Sequence, residues 1–93
     1  MTPSIGRIVH YRLPDRYEGG PERWRPAIVV QEFGELANLT VFLDGLNDGT
    51  TPEDVKALRE SGLDCALHGQ CASRGSAAEG TGVGEWRWPP RVS

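Results

Sequence analysis

The sequence predicts a mainly β fold: a small antiparallel barrel with one short inserted helix at about residues 51–61. Three observations lead there. The chain has 12 Gly and 7 Pro among 93 residues, about a fifth of its length, against a usual ~12%, which speaks against a helical bundle. Its apolar residues fall in short runs, several of which alternate with the period of a strand. Only one segment carries the signals of a helix start and stop.

The elements follow in chain order. In Ile8-Val9-His10-Tyr11-Arg12-Leu13, Val9, Tyr11 and Leu13 share one face, and Ile8, His10 and Arg12 share the other, so this is a strand with one buried face. Pro14 stops it, and residues 14–23 form a polar loop rich in breakers. A second strand runs over 24–33, with Pro26 at its start or on an edge, because proline cannot donate to a ladder. Ala27-Ile28-Val29-Val30 is continuously apolar, the pattern of a strand covered on both faces. Gly34-Glu35 turns the chain into a third strand at 38–44, making an antiparallel hairpin.

After a turn-rich loop at 44–50 comes the helix. Thr51 is a good N-cap, Pro52 suits the first helical position, and Asp54 completes a T-x-x-D capping box. Val55 and Leu58 share its apolar face, and Gly62 fits the residue just past its end. Residues 62–84, with six Gly and many Ala and Ser, are expected to form a flexible loop. Glu85-Trp86-Arg87-Trp88 alternates as a last strand, ended by Pro89-Pro90. Short strands closing with a C-terminal strand suit an SH3-like barrel of one domain, 1–93, in which the two chain ends lie together.

The formal charge is −3, which disfavours a partner as long and anionic as DNA or RNA. The charge is unevenly spread. Residues 1–25 carry five Arg against three acids, 26–64 two basic against eight acidic groups, and 65–93 three Arg against two acids. Joined ends would therefore form a basic region beside an acidic middle. That middle is only modestly acidic for a nucleic-acid mimic. Nine of the ten basic residues are Arg, whose planar fork suits phosphate and carboxylate. No run approaches the ~18 apolar residues of a membrane span, and the N-terminus lacks the pattern of a signal peptide, so the expected compartment is cytoplasmic.

The chemistry-bearing residues cluster in the end segments. Tyr11, Trp24, Trp86 and Trp88 offer flat faces for stacking, with Tyr17 a further aromatic; Arg7, Arg25, Arg87 and Arg91 offer cations; and His10 adjoins Tyr11. Asn47, in the 44–49 loop, offers an amide that both donates and accepts. The opposing reading is that Trp86 and Trp88, two residues apart, fill the core, and that His10 only bonds backbone.

Cys65, His68 and Cys71 spell C-x₂-H-x₂-C, three ligand types at close spacing, with His10 a conceivable fourth. Paired C-x₂₋₄-C knuckles are absent, so free thiols are expected and no metal or other cofactor is assigned. Gly80-Thr81-Gly82-Val83-Gly84 leads into a strand rather than a helix N-terminus, so it reads as a hinge and not a phosphate loop. No nucleophile–base pairing is legible, and an enzyme is not expected.

Three blocks also resemble a known family: Pro3-Ser4-Ile5-Gly6-Arg7-Ile8-Val9-His10-Tyr11 at the start, Arg25-Pro26-Ala27-Ile28-Val29-Val30, and Gly84-Glu85-Trp86-Arg87-Trp88-Pro89-Pro90-Arg91-Val92 at the end. In order and placement they are similar to a widespread family of small phage and prophage proteins often seen in actinobacterial viruses. Residues 44–82 lie outside the resemblance. It implies an accessory phage protein, and some small phage proteins sequester the cyclic oligonucleotide signals of bacterial immunity.

The leading expectation is therefore a non-enzymatic counter-defence protein that binds a cyclic nucleotide, plausibly a cyclic dinucleotide, without cleaving it. Its site would draw on Arg7, His10, Tyr11, Trp24, Arg25, Asn47, Trp86, Arg87, Trp88 and Arg91. A two-fold ligand would suit a homodimer. The alternative is a protein-interaction module, either a virion accessory protein or an inhibitor of a host protein.

Overall fold

The computed structural model describes residues 3–15 and 21–90. Six strands and one helix follow in the order β1 (Ile8–Leu13), β2 (Arg23–Phe33), β3 (Leu36–Phe42), α1 (Pro52–Glu60), β4 (Leu63–Asp64), β5 (Cys71–Ala78) and β6 (Trp86–Arg87). The strands form one antiparallel sheet in the order β4-β5-β3-β2-β1-β6, curled into a half-barrel. The fold class is thus the expected one: mainly β, barrel-like, with a single helix.

The central hairpin is set by its turn. Phe33 pairs with Leu36 across Gly34-Glu35, and Gly34 takes φ +65°, a left-handed conformation that glycine adopts without steric cost. The register slips between Val29 and Gln31, a bulge that bends β2 and helps curl the sheet. On the concave side, Val9, Tyr11, Leu13, Ala27, Val29, Leu39 and Val41 are buried with Trp86, and α1 adds Val55 and Leu58 to the same core. Thr51 caps the helix, its Oγ1 accepting from the Asp54 N–H at 3.1 Å. The Asp54 carboxylate accepts from the Gly49 N–H at 2.7 Å and pairs with Arg23 at 3.2 Å, so the same residue also fixes the preceding loop.

The two ends of the described chain do meet. β6 pairs with β1, His10 opposite Arg87 and Tyr11 opposite Trp86. Arg12 N–H donates to Glu85 O, and Gly84 N–H donates to Arg12 O. Gly84 sits at φ +82°, and a Cβ there would lie 3.2 Å from Ser61 O, so glycine is required for this close approach. A parallel bridge between Glu79 and Trp86 ties the end of β5 to β6.

The expected flexible loop at 62–84 is a correction. It contains β4 and the eight-residue β5, an interior strand between β3 and β4. The segment Cys71-Ala72-Ser73-Arg74-Gly75-Ser76-Ala77-Ala78 has low strand propensity, but pairing on both sides overrides that. Its small residues also leave room for Trp86, whose indole N–H reaches Ala77 O at 3.1 Å.

Candidate functional site

Sheet parity divides the expected site. Tyr11 faces the core with no exposed surface, and its hydroxyl accepts from Arg74 Nε at 3.1 Å. Burial pushes its pKa up, against the lowering effect of Arg74. Trp86 is equally buried. Neither can stack on a ligand, because the β1 and β6 residues that pair at this position both point inward. Trp88 is half-buried, meets Trp86 edge-on with ring centroids 5.3 Å apart, and lies under the Arg7 guanidinium at 5.6 Å.

Arg25 is a further correction, since it does not offer its fork to a ligand. It shares the inward parity of Ala27 and Val29, and it grips Asp48 with both Nε and Nη2, the latter at 2.8 Å. Asp48 is wholly buried and also accepts from Arg23 at 3.3 Å and from the Asp44 N–H at 2.8 Å. Burial alone would raise the Asp48 pKa, but these hydrogen bonds and the two guanidinium charges outweigh it and hold the carboxyl below the usual carboxylate range. The bond to Asp48 raises the pKa of Arg25 in turn. The four charges of Arg23, Arg25, Asp48 and Asp54 fasten the 43–51 loop and the helix start to β2. They are architecture.

Asn47 is exposed but turned to its own loop, donating to Asp44 Oδ2 at 2.6 Å. That bond, with the Leu46 N–H, lowers the Asp44 pKa. Arg91 and Tyr17 lie outside the described residues.

What remains together is a ledge on the convex side, where β1, β2 and β6 present His10, Arg12, Trp24 and Arg87. Arg12 pairs with Trp24 in the ladder, and His10 pairs with both Pro26 and Arg87. The Arg87 guanidinium lies flat over the Trp24 ring, 3.8 Å from its centroid, and Arg12 approaches the same ring at 5.9 Å. Arg12 is engaged by Asp15 at 2.9 Å and Glu22 at 3.6 Å, while among the described residues no ion pair includes Arg87. The Arg87 Nε is buried and makes no hydrogen bond, as are Arg12 Nε and Trp88 Nε1. All three are donors, while Glu22 beside the ledge accepts from the Trp24 indole N–H at 2.7 Å.

Next to the ledge runs a surface that the sequence reasoning did not single out. The outward residues of β2 are Trp24, Pro26, Ile28 and Val30, and beyond the bulge Gln31 and Phe33. Pro26, Val30 and Phe33 are exposed, Val30 at 48% and Phe33 at 54%. Ile8, paired with Ile28, is 57% exposed, and Phe42, across β3, is 38% exposed. No acidic residue stands among the outward positions of β1, β2 and β3.

Two hollows lie elsewhere. A groove of about 440 Å³ runs between α1 and Leu67, and one of about 490 Å³ lies beside Leu46 and Cys71. The C-x₂-H-x₂-C residues do not assemble. Cys65 is buried and Cys71 exposed, both free, and no group of three or more His, Cys, Asp or Glu forms a metal cluster among the described residues. None of the helices among the described residues is long and apolar enough to cross a membrane. No family model matches this chain, and no curated protein or solved structure matches it.

Proposed function

We propose that this chain is a non-catalytic protein-interaction module whose working surface is the convex face of the sheet. One observation carries the reading. The outward side of β2 is apolar but for Gln31, and among the described residues its Pro26, Val30 and Phe33 are exposed. Ala27-Ile28-Val29-Val30 has the composition of a strand buried on both faces, and the core covers only one of them. A contiguous apolar strip with a polar rim is the usual mark of an interaction site. Its rim here holds Arg87, which joins no ion pair among the described residues, so the partner chemistry that fits is apolar with a flanking carboxylate. Selection from a random peptide library on the immobilised chain tests this. Apolar sequences with acidic flanks are expected to be enriched, and Val30→Asp is expected to abolish the enrichment. Failure to enrich any sequence over the Val30→Asp variant would refute the reading.

A second reading keeps the anionic nucleotide, within a phage counter-defence role. The unpaired Arg87 guanidinium on Trp24, beside His10, supports it. Against it, Arg87 already covers a face of Trp24, and Tyr11, Trp86 and Arg25 are committed to the fold. Calorimetry with a panel of cyclic di- and trinucleotides separates the two readings. Stoichiometric binding that Arg87→Ala weakens about tenfold or more would put the nucleotide first.

A further inference from the structure

We infer that the groove beside α1 binds a small amphipathic monocarboxylate, with Arg59 holding the carboxylate and Pro52, Val55 and Leu67 receiving the apolar body. Helix α1 packs into the core on the concave side of the sheet, so this site is separate from the convex face and stands without it.

The groove measures about 440 Å³, within the ~300–1,000 Å³ of small-ligand sites. Val55 lies at its floor, Pro52, Lys56, Arg59 and Glu60 of α1 form one wall, and Leu67, in the loop after β4, forms the other. Both walls are tied down. Thr51 caps the start of the helix, and the Ser61 N–H donates to Ala57 O at its end. In the loop, the His68 N–H donates to Gly49 O at 2.9 Å and the Gly69 N–H to Ala66 O at 3.0 Å. His68 takes φ +58°, left-handed backbone that is uncommon outside glycine, and these bonds hold the turn around it. Leu67 is thereby kept 50% exposed beside the groove. Together with the methylene stems of Lys56 and Arg59, it offers the kind of surface an aliphatic chain covers.

Arg59 supplies the polar end. Its Nε donates to Cys65 O at 3.0 Å, which joins helix to loop and restrains the guanidinium. Among the described residues neither Nη makes a hydrogen bond, and Arg59 joins no ion pair. A guanidinium anchored at Nε with both Nη groups open is a preorganised fork for a carboxylate.

Charge narrows the ligand class. Residues 26–64 carry eight acidic groups and two basic ones, Lys56 and Arg59, and both of these line the groove. Glu60 lines it too, 3.9 Å from Lys56, so those two charges offset each other and Arg59 is left in excess. A single carboxylate matches that excess, whereas a dianion would meet the repulsion of Glu60.

Titration of the ¹⁵N-labelled full chain with octanoate, followed by amide shifts, tests the inference. Saturable shifts are expected at Val55, Arg59 and Leu67. Arg59→Gln should weaken binding about tenfold or more. Leu67→Glu, at an exposed position, should do the same by setting a carboxylate against the ligand, and it keeps the test decisive if Arg59→Gln unfolds. Octanol, which lacks the charge, and acetate, which lacks the chain, should each bind at least tenfold more weakly than octanoate. Octyl phosphate, a dianion at pH ~8, should also bind more weakly. The absence of saturable shifts with octanoate would overturn the inference. So would shifts centred on Val30 and Phe33, octanol or octyl phosphate binding as tightly as octanoate, or unaltered affinity in a folded Arg59→Gln or Leu67→Glu chain.

Discussion

Replacing Asp48 by alanine tests the claim that the arginines of β2 are structural. Asp48 has no exposed surface and accepts from Arg23, Arg25 and the Asp44 backbone. Truncation leaves two guanidinium groups without that acceptor, and removing one partner of a buried ion pair typically costs about 3–5 kcal/mol. The two arginines differ in how they can respond. The Arg25 side chain is 22% exposed and can swing part of its charge into water, while Arg23, at 9%, keeps Asp54 and the Pro14 carbonyl. The loss should therefore fall near the lower end, about 3 kcal/mol. For a domain of this size that is a large share of a total stability on the order of 5–14 kcal/mol. At roughly 4–8 °C per kcal/mol it lowers Tm by about 12–24 °C. Urea titration measures it directly, with an unchanged slope confirming that the same surface unfolds. The double variant Arg25→Met/Asp48→Leu removes both charges and refills the space, so it should recover much of the loss. An Asp48→Ala loss below about 1 kcal/mol would refute the clasp and return Arg25 to the list of ligand candidates.

The clasp also fixes the direction of the pH dependence. Because the folded Asp48 carboxyl sits below its unfolded value of ~3.9, its contribution is full above that pH and is lost as pH falls through the lower folded value. Acid unfolding curves of wild type and Asp48→Asn should accordingly converge as pH drops below ~4. Thr51→Ala should cost about 1 kcal/mol in urea titration by removing the bond to the Asp54 N–H, with no effect on peptide enrichment by the convex face. Native-state thiol labelling should modify Cys71 promptly and Cys65 only on unfolding, because Cys65 is buried and burial raises its thiol pKa. Equal labelling rates would contradict the placement of β4 and β5. Trp86→Ala should cost about 3–5 kcal/mol, and a folded variant with wild-type Tm would remove Trp86 from the core.

Most of the architecture was written in period and punctuation. Strand β1 could be bounded from its alternation and Pro14, the β2–β3 hairpin from Gly34, and the helix from Thr51, Pro52 and Gly62. Strand β5 could not be found that way. Its residues are mostly Ala, Ser and Gly, and it is a strand because β3 and β4 hold it on both sides, a long-range cause with no local signature. The site fared worse than the fold, although the missing information was present. Tyr11 alternates with Val9 and Leu13, and Arg25 with Ala27 and Val29, so period two already assigned both to the inner face. Grouping residues by segment and charge, rather than by parity, mixed inward with outward groups.

The same parity argument gives the convex face its meaning. A strand with one solvated face normally alternates apolar with polar residues, and β1 does so through His10 and Arg12. Strand β2 does not. Its inner row contains two arginines, which it can hold only with buried carboxylates from the 44–54 region, and its outer row is apolar except at Gln31. The usual assignment of polar and apolar faces is thus partly inverted on one central strand. The inner inversion is balanced within the chain by Asp48 and Asp54. The outer one has no counterpart among the described residues, and Arg87 likewise has no acidic partner there. Charge and hydrophobicity on that strand are therefore each balanced once by the fold and once by whatever docks against it. For that reason peptide enrichment by the Val30→Asp variant bears more directly on what this protein does than substitutions at the buried aromatic residues.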